Sequence, residues 1–510
     1  MIFELDTKSQ LIKNDDYWKM CIGSCHAYTA LREDYRQMLE QCKKEIGFNY
    51  IRFHGIFSDS MCVLKQSLTG EYILSFTNVD KIFDYLLSIN MKPFIELGFM
   101  PSCLRSNNET IFHYKANVSP PKDEKIWIWL IESFVEHLIN RYGLNEIRSW
   151  YFEVWNEPNL GKESGIKGGR FWSGSIDDYF RLYTITANAI KKIDTKIRVG
   201  GPATSNNALI PEMIEYCKKS NTPIDFITTH HYPTDVVLGY GVEDSQNFTK
   251  AFNSVDWDDK ESLGKLINEY TTFQSHIWEK VDRGVLTDMA KRAKKEAQGL
   301  PLIYTEWSSL SGIESDGSFG ASFILKTIQD NMGLVDGYSY WTFSDIFEEK
   351  GTPNCAFHGG FGLLTQDGIK KAPYNAFVLL NKLGDQKYIS TFSQDTIDAY
   401  FFKNTFTNTI QALIINHQSL LHDIQPHNIL LKLKGEKIIS KADIYRLDDN
   451  HANALTCWKD MGCPQYLDTQ QKYALMSASE LKRQSIEVVN NAITITIPKQ
   501  GAALVNFYIQ

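Results

Sequence analysis

Short apolar runs and amphipathic segments alternate eight times between Trp18 and Phe343, and this alternation leaves very few architectures open. The runs are Trp18 to Cys25, Tyr50 to His54, Pro93 to Phe99, Trp150 to Trp155, Ile197 to Gly201, Ile224 to His230, Leu302 to Trp307 and Tyr338 to Phe343. They are short and rich in β-branched and aromatic residues, so they read as buried strands. The intervening segments have helical spacing. From Glu124 to Tyr142, Trp127, Ile131, Phe134, Val135 and Leu138 recur on one face and Gly143 supplies a stop. From Ser175 to Ile193, the opening Ser175-Ile176-Asp177-Asp178 resembles a capping box, and Tyr179, Tyr183, Thr186 and Ile190 share a face. Repeated strand-helix units predict an α/β fold, a (β/α)8 barrel over residues 14–384 whose last helix is Tyr374 to Leu383.

After Gly384 the texture changes to short alternating runs separated by Asn, Asp and Gly, such as Ile410 to Asn416, Ile429 to Leu433 and Ala492 to Pro498. This predicts an accessory β-sandwich domain over residues 385–510, joined by a strand from residues 1–13. The longest stretch without a barrel strand is Thr234 to Leu300, which includes a helix-like Thr287 to Gln298. A connection of that length is a structured insertion or a lid.

A formal charge of -8, with no Lys/Arg block, argues against nucleic acid as a partner. The acidic start Met1-Ile2-Phe3-Glu4-Leu5-Asp6 lacks the pattern of a secretory signal, and no stretch is long and apolar enough to span a membrane. The expectation is a cytoplasmic protein. Nine cysteines, odd in number and scattered from Cys21 to Cys463, fit reduced thiols better than a disulfide framework or a zinc site.

In such a barrel, reactive groups sit at the C-terminal ends of the strands. Arg52 and His54 close the second run, Asn156 and Glu157 the fourth, His230 and Tyr232 the sixth, Glu306 the seventh, and Trp341 lies in the eighth. Singly, each has an ordinary structural reading: a core ion pair, a satisfied imidazole, a packed indole. Together they converge on one mouth. Two carboxylates held there, Glu157 and Glu306, are the minimum equipment for breaking a glycosidic bond.

The motifs Cys21-Ile22-Gly23-Ser24, Ile51-Arg52-Phe53-His54-Gly55, Glu96-Leu97-Gly98-Phe99-Met100-Pro101, Phe112 to Pro121, Phe152 to Asn159, His230-His231-Tyr232, Tyr304-Thr305-Glu306-Trp307 and Tyr340 to Glu349 carry a resemblance. The chain resembles glycoside hydrolase family 39, and within it the bacterial β-xylosidases, nearly end to end. The resemblance implies Glu157 as general acid/base and Glu306 as nucleophile of a retaining double displacement, with no metal or organic cofactor. It further implies that Asn156 bonds the sugar 2-OH, Tyr232 orients Glu306, and His54 with Glu349 or Glu348 holds the other hydroxyls. Trp341 and Phe112 would form the apolar walls, and a cation such as Arg52 would keep the nucleophile ionised. The expected partner is a carbohydrate, with a homo-oligomer left open.

Two departures bear on the substrate. Ser311 stands where many family xylosidases carry a Tyr, and the Thr234 to Leu300 stretch is long for the family. Release of terminal β-D-xylose competes with action on an α-L-arabinopyranoside or an α-L-iduronide; for the last, Lys115 is the further cation near a motif. A silent carbohydrate-binding protein and a scaffold protein are the readings from other classes. Tyr240, Phe252, Trp257 and Asp258 of the insertion would wall the site into an exo-acting pocket, against the alternatives of a solvated helical appendage or an oligomer contact.

Overall fold

The computed structural model describes residues 1–161, 164, 170–349, 351–435 and 438–509. Eight parallel strands close into a barrel: β1 (Cys21–His26), β2 (Tyr50–His54), β3 (Lys92–Leu97), β4 (Tyr151–Val154), β5 (Arg198–Thr204), β6 (Phe226–His231), β7 (Leu302–Trp307) and β8 (Gly337–Tyr340). Each is followed by its helix, α1 (Glu33–Glu45), α2 (Thr77–Ser88), α3 (Glu124–Tyr142), α4 (Ile176–Ile193), α5 (Ile210–Ser220), α6 (Val285–Glu296), α7 (Ser318–Asp330) and α8 (Ala372–Asn381). Strand order around the barrel is the chain order, as repeated right-handed βαβ units require. The capping box at Ser175 forms: its hydroxyl accepts from the Asp178 N–H and the Asp178 side chain accepts from the Ser175 N–H.

The strand boundaries differ from the expected runs where aromatic packing takes over. Trp18 lies in a 3-10 turn, edge-on to Phe48 at 6.3 Å and against Phe377 at 5.7 Å, so β1 begins only at Cys21. The run expected to continue to Phe343 leaves the sheet at Tyr340, which places Trp341 just beyond β8. The helix expected at Thr287 to Gln298 is the barrel's own sixth helix. The insertion after β6 is therefore the shorter segment before it, holding helices Val242–Ser254 and Lys260–Lys280, which pack on each other. The first of these has no buried residue.

Inside the barrel the lowest layer is apolar. Cys21, Phe94, Phe226 and Ile303 form a buried cluster, with Tyr151 stacked on Phe94 at 5.0 Å. Gly200 of β5 is required here, because a Cβ at that position would meet the Phe226 carbonyl oxygen at 2.4 Å. Above this floor the interior turns polar.

The strands after Gly384 build two facing sheets. A seven-stranded antiparallel sheet runs Leu11–Lys13, Gln386–Gln394, Ile397–Asn404, Thr409–Asn416, Ala502–Ile509, Ile438–Leu447 and Arg483–Ile486 in spatial order. A three-stranded sheet contains Ile2–Asp6, His427–Lys434 and Ala492–Ile497. A core including Phe3, Leu5, Phe401, Ile414, Ile495 and Phe507 fills the space between them. The segment 1–13 thus supplies two strands, one to each sheet, rather than a single strand. All nine cysteines are free thiols. Among the described residues, no helix is long and apolar enough to cross a membrane.

Candidate active site

A β-bulge sets the site. Between β6 and β7, Thr229 pairs with Tyr304 but His230 pairs with Glu306, so Thr305 has no opposite residue. Strict alternation would send Thr305 and Glu306 to opposite faces. The extra residue instead turns both toward the barrel interior, while Tyr304 and Trp307 both pack outward against Tyr338, at 5.7 and 4.1 Å. At the end of β4 the chain bends through left-handed backbone at Trp155 (φ 71°) and Glu157 (φ 44°). Such conformations cost non-glycine residues about 1–3 kcal/mol each and concentrate at functional sites. The bend is pinned by the Glu157 N–H donating to the Ala203 carbonyl at 2.8 Å and the Trp155 indole N–H donating to the Phe171 carbonyl at 2.7 Å.

Arg52, fully buried on β2, lies at the centre. Its Nε donates to Glu153 at 2.6 Å, Nη1 to Glu306 at 2.8 Å, and Nη2 to Asn156 Oδ1 at 2.7 Å, with Glu96 Oε2 at 3.0 Å. One guanidinium thus faces three carboxylates, each from a different strand. Burial would weaken its hold on the proton, but Glu153, Glu96 and Glu306 outweigh that and push it further up. The Tyr232 hydroxyl donates to the other Glu306 oxygen at 2.9 Å. Both nucleophile-candidate oxygens are therefore held, and the Asn156 amide is oriented by its oxygen so that its buried NH2 is left without a protein partner among the described residues.

Glu157 is held differently. Burial pushes its carboxyl up to about 7, against the pull of Arg170, His54 and Arg52. Its Oε1 lies 3.0 Å from His230 Nδ1. Burial drives the His230 imidazole down to about 4, so the ring is neutral near pH 7. Its tautomer follows from its neighbours. The Thr305 hydroxyl donates its single proton to Glu153 at 2.9 Å, and so it accepts from His230 Nε2 at 3.1 Å. The Nδ1 lone pair then faces the Glu157 proton. Asp235, half-buried and accepting the Tyr232 N–H at 2.9 Å, is also raised, to about 8, mainly by loss of solvation.

The walls are aromatic. Trp341 lies 4.8 Å from the His54 ring and 5.8 Å from the Arg52 guanidinium. Gly23 is what lets it lie there, since a Cβ would meet Trp341 Cε3 at 2.5 Å. Phe112 stacks near His54 at 6.0 Å. His54 Nδ1 meets Glu96 at 2.5 Å while its Nε2 stands 3.8 Å from both Glu306 and Glu349. Burial would lower the His54 ring, but Glu96 and Glu306 carry it upward overall.

The structure thus gathers Arg52, His54, Phe112, Asn156, Glu157, His230, Tyr232, Glu306, Trp341 and Glu349. Glu348 is directed elsewhere: its carboxylate meets His26 at 3.0 Å and Arg32 at 3.3 Å. Lys115 is exposed, and Ser311 bonds the Ser309 and Ser315 hydroxyls at 3.1 and 2.8 Å. Glu96, Glu153 and Thr305 were not anticipated. The signal was present, because a Glu inside an apolar strand run needs a buried partner. Of the insertion residues, Trp257 is 61% exposed and packs on Phe252 at 5.9 Å. Tyr270 lies on the second insertion helix, which follows β6 on the C-terminal side of the barrel.

A parallel barrel in which a carboxylate just beyond β4 meets one on β7 at the C-terminal mouth has the architecture of a glycosidase. The family model of the glycosyl hydrolases family 39 matches residues 1–279 and 267–492, and the chain belongs to that family. It is 44% identical over 497 residues to a β-xylosidase of Caldicellulosiruptor saccharolyticus, covering 96% of this chain and 94% of that protein. A β-xylosidase of Geobacillus stearothermophilus is 32% identical over 499 residues, covering 94% and 90%. Among solved structures, a family 39 β-xylosidase from Caulobacter crescentus superposes with a TM-score of 0.79 at 30% identity over 100% of both chains.

Proposed function

We propose that this glycosidase is an exo-acting β-xylosidase that retains anomeric configuration, with Glu306 as nucleophile and Glu157 as acid/base. The observation that carries the reading is the spacing of the dyad: single ligand atoms of Glu157, His230 and Glu306 all lie within 4.8 Å of one another. Retaining enzymes hold their carboxyl groups about 5–5.5 Å apart, whereas inverting ones need about 6.5–9.5 Å to admit a water. The β-xylosidases of Caldicellulosiruptor saccharolyticus and Geobacillus stearothermophilus support the sugar assignment.

In the first step Glu306 attacks the anomeric carbon while Glu157, protonated below about pH 7, gives its proton to the leaving oxygen. The Glu306 charge passes into the new ester bond, and Tyr232 and Arg52 keep its oxygens aimed. Glu157, now a carboxylate, takes a proton from water, whose oxygen displaces Glu306 and restores both groups. The unpartnered Asn156 NH2 donates to the 2-OH. His54 and Glu349 reach the 3- and 4-hydroxyls, and Trp341 with Phe112 covers the sugar faces. The two helices inserted after β6 follow the C-terminal end of a barrel strand, and we read them as narrowing the mouth so that a chain end enters and a chain interior does not. A uronide is disfavoured because Arg52 is committed to three carboxylates and Lys115 points to solvent.

Hydrolysis of nitrophenyl β-D-xyloside, followed by proton NMR, is the test. β-Xylose should appear first, a 2-fluoroxylosyl donor should label Glu306, and polymeric xylan should be cut little. Initial α-xylose, or preference for an α-L-arabinopyranoside or β-D-glucoside, would overturn the stereochemical or the sugar assignment respectively.

A further inference from the structure

Glu157, His230 and Glu306 also form a ligand set that the hydrolysis does not require. Glu157 Oε1 and Glu306 Oε2 lie 3.0 and 3.6 Å from His230 Nδ1. A tetrahedral ion with ligand bonds of about 2.0–2.1 Å has ligand-to-ligand edges of about 3.3–3.4 Å. The two edges from the imidazole nitrogen thus bracket that value, the third edge, between the carboxylate oxygens, lies within 4.8 Å, and all three residues are buried.

Three further features fit an ion. The Thr305 hydroxyl, by donating to Glu153, fixes the His230 proton on Nε2 and leaves Nδ1 as a lone pair facing Glu157 Oε1, with Glu306 Oε2 3.6 Å away. This chain from imidazole N–H through a hydroxyl to a carboxylate is the outer support that metal-bound histidines use. Tyr232 steadies Glu306 Oε2 from the other side at 2.9 Å. Finally, Glu96, Glu153 and Glu306 stand against Arg52 and His54 inside the mouth, a concentration of carboxylates that serves a positively charged, oxocarbenium-like transition state. A dication placed between the dyad meets the same field.

We propose that Glu157, His230 and Glu306 bind a divalent transition-metal ion of the zinc, cobalt or copper class, and that the ion excludes the sugar from the site. An imidazole flanked by two carboxylates selects such ions over magnesium or calcium, which prefer all-oxygen shells. The ion is an inhibitor rather than a cofactor: it occupies the space between the dyad where the anomeric carbon must sit. The proposal shares its site with the reaction proposed above and rests on that placement of the dyad, but not on the stereochemistry or the sugar.

The test is titration of the full chain with Co2+, followed by visible absorption and calorimetry. The expected result is one Co2+ per chain with the intense bands of a four- or five-coordinate ion, displaced by Zn2+ and by saturating xylose. Affinity should fall more than tenfold in His230→Ala and in Glu157→Gln, and Zn2+ should raise KM for nitrophenyl xyloside without changing kcat. Magnesium should do neither. Faint six-coordinate bands, or binding unchanged in Glu157→Gln and insensitive to xylose, would overturn it. Labelling of Glu306 by a fluoroxyloside without Co2+ binding defeats the metal site alone; Co2+ binding without xyloside turnover defeats the sugar assignment alone.

Discussion

Two buried cation–carboxylate clusters differ in one respect that separates chemistry from architecture. Arg52 faces Glu96, Glu153 and Glu306 within 3.0 Å beneath the barrel mouth. Lys371, equally buried, faces Asp316 and Asp345, each at 2.6 Å, beneath the segment that follows β8. Burial would lower the Lys371 ammonium, but the two aspartates carry it upward. Around Lys371 the remaining aspartate oxygens are taken by backbone: Gly359 N–H donates to Asp316 at 2.9 Å and Gly362 N–H to Asp345 at 2.8 Å. Among the described residues, the pairing around Arg52 leaves the Asn156 NH2 and Glu96 Oε1 without hydrogen-bond partners, whereas Asp345 Oδ2, which also lacks a well-aligned hydrogen bond, is met by the Lys371 ammonium at 2.6 Å. A buried charge alone does not mark a site. Polar capacity left over after the ion pairs are counted does, because its desolvation cost is offset only when a ligand arrives.

Removing the cation from each cluster is the strongest way to break that contrast. Arg52→Gln leaves three carboxylates without their cation, a change that costs about 3–5 kcal/mol at buried pairs, and kcat/KM should fall by roughly 10³-fold or more. Lys371→Met should lose a similar amount of stability by urea unfolding, about 3–5 kcal/mol, yet keep kcat within about tenfold in the folded protein. Equal loss of kcat in both, measured on fully folded samples, would erase the distinction.

A third substitution sharpens it by pH. Glu157 is raised from 4.5 to about 7 by burial, so the stability this group contributes is complete below pH 4.5 and lost as pH rises through 7. Glu157→Gln removes that dependence. The variant should match the native chain near pH 4 and exceed it at pH 8 by about 3 kcal/mol, read from urea midpoints, while losing turnover of unactivated xylosides. A smaller effect is expected at Thr305. Without its hydroxyl, His230 is free to carry its proton on Nδ1 and donate to the Glu157 carboxylate, which favours the charged form. Thr305→Val should reduce kcat about tenfold and move the alkaline limb of the pH profile to lower pH. An unchanged limb would remove Thr305 from the tautomer-setting role.

The barrel was legible because its strands are short apolar runs and its helices carry period and caps, as at Ser175 and Gly143. Boundaries failed where an aromatic side chain chose its own packing, at Trp18 and Trp341. The Arg52 end of the site was legible because strand ends are where a barrel exposes side chains. Less visible was the bulge at Thr305, since Tyr304-Thr305-Glu306-Trp307 reads as plain alternation and the extra residue is defined only by its neighbour β6. The Lys371 cluster had no sequence signal: Asp316, Asp345 and Lys371 meet through loops whose paths no local pattern dictates. Insertion helix Val242–Ser254 was hidden by the assignment of α6 to the same stretch.

The two strands from residues 1–13 have a consequence for biosynthesis. Ile2–Asp6 pairs in parallel with His427–Lys434, and Leu11–Lys13 pairs with Gln386–Gln394. Both strands leave the ribosome before any of the barrel, yet their partners follow only after the whole barrel has been made. At about 5–20 residues per second the wait is on the order of 20–80 s. Throughout that interval Phe3 and Leu5 lack the sandwich-core partners, such as Phe401, Ile414, Ile495 and Phe507, with which they are buried in the folded chain. The barrel can form first, tethering an open strand that the late-emerging sheets then capture, so these two sequence-distant segments are joined last.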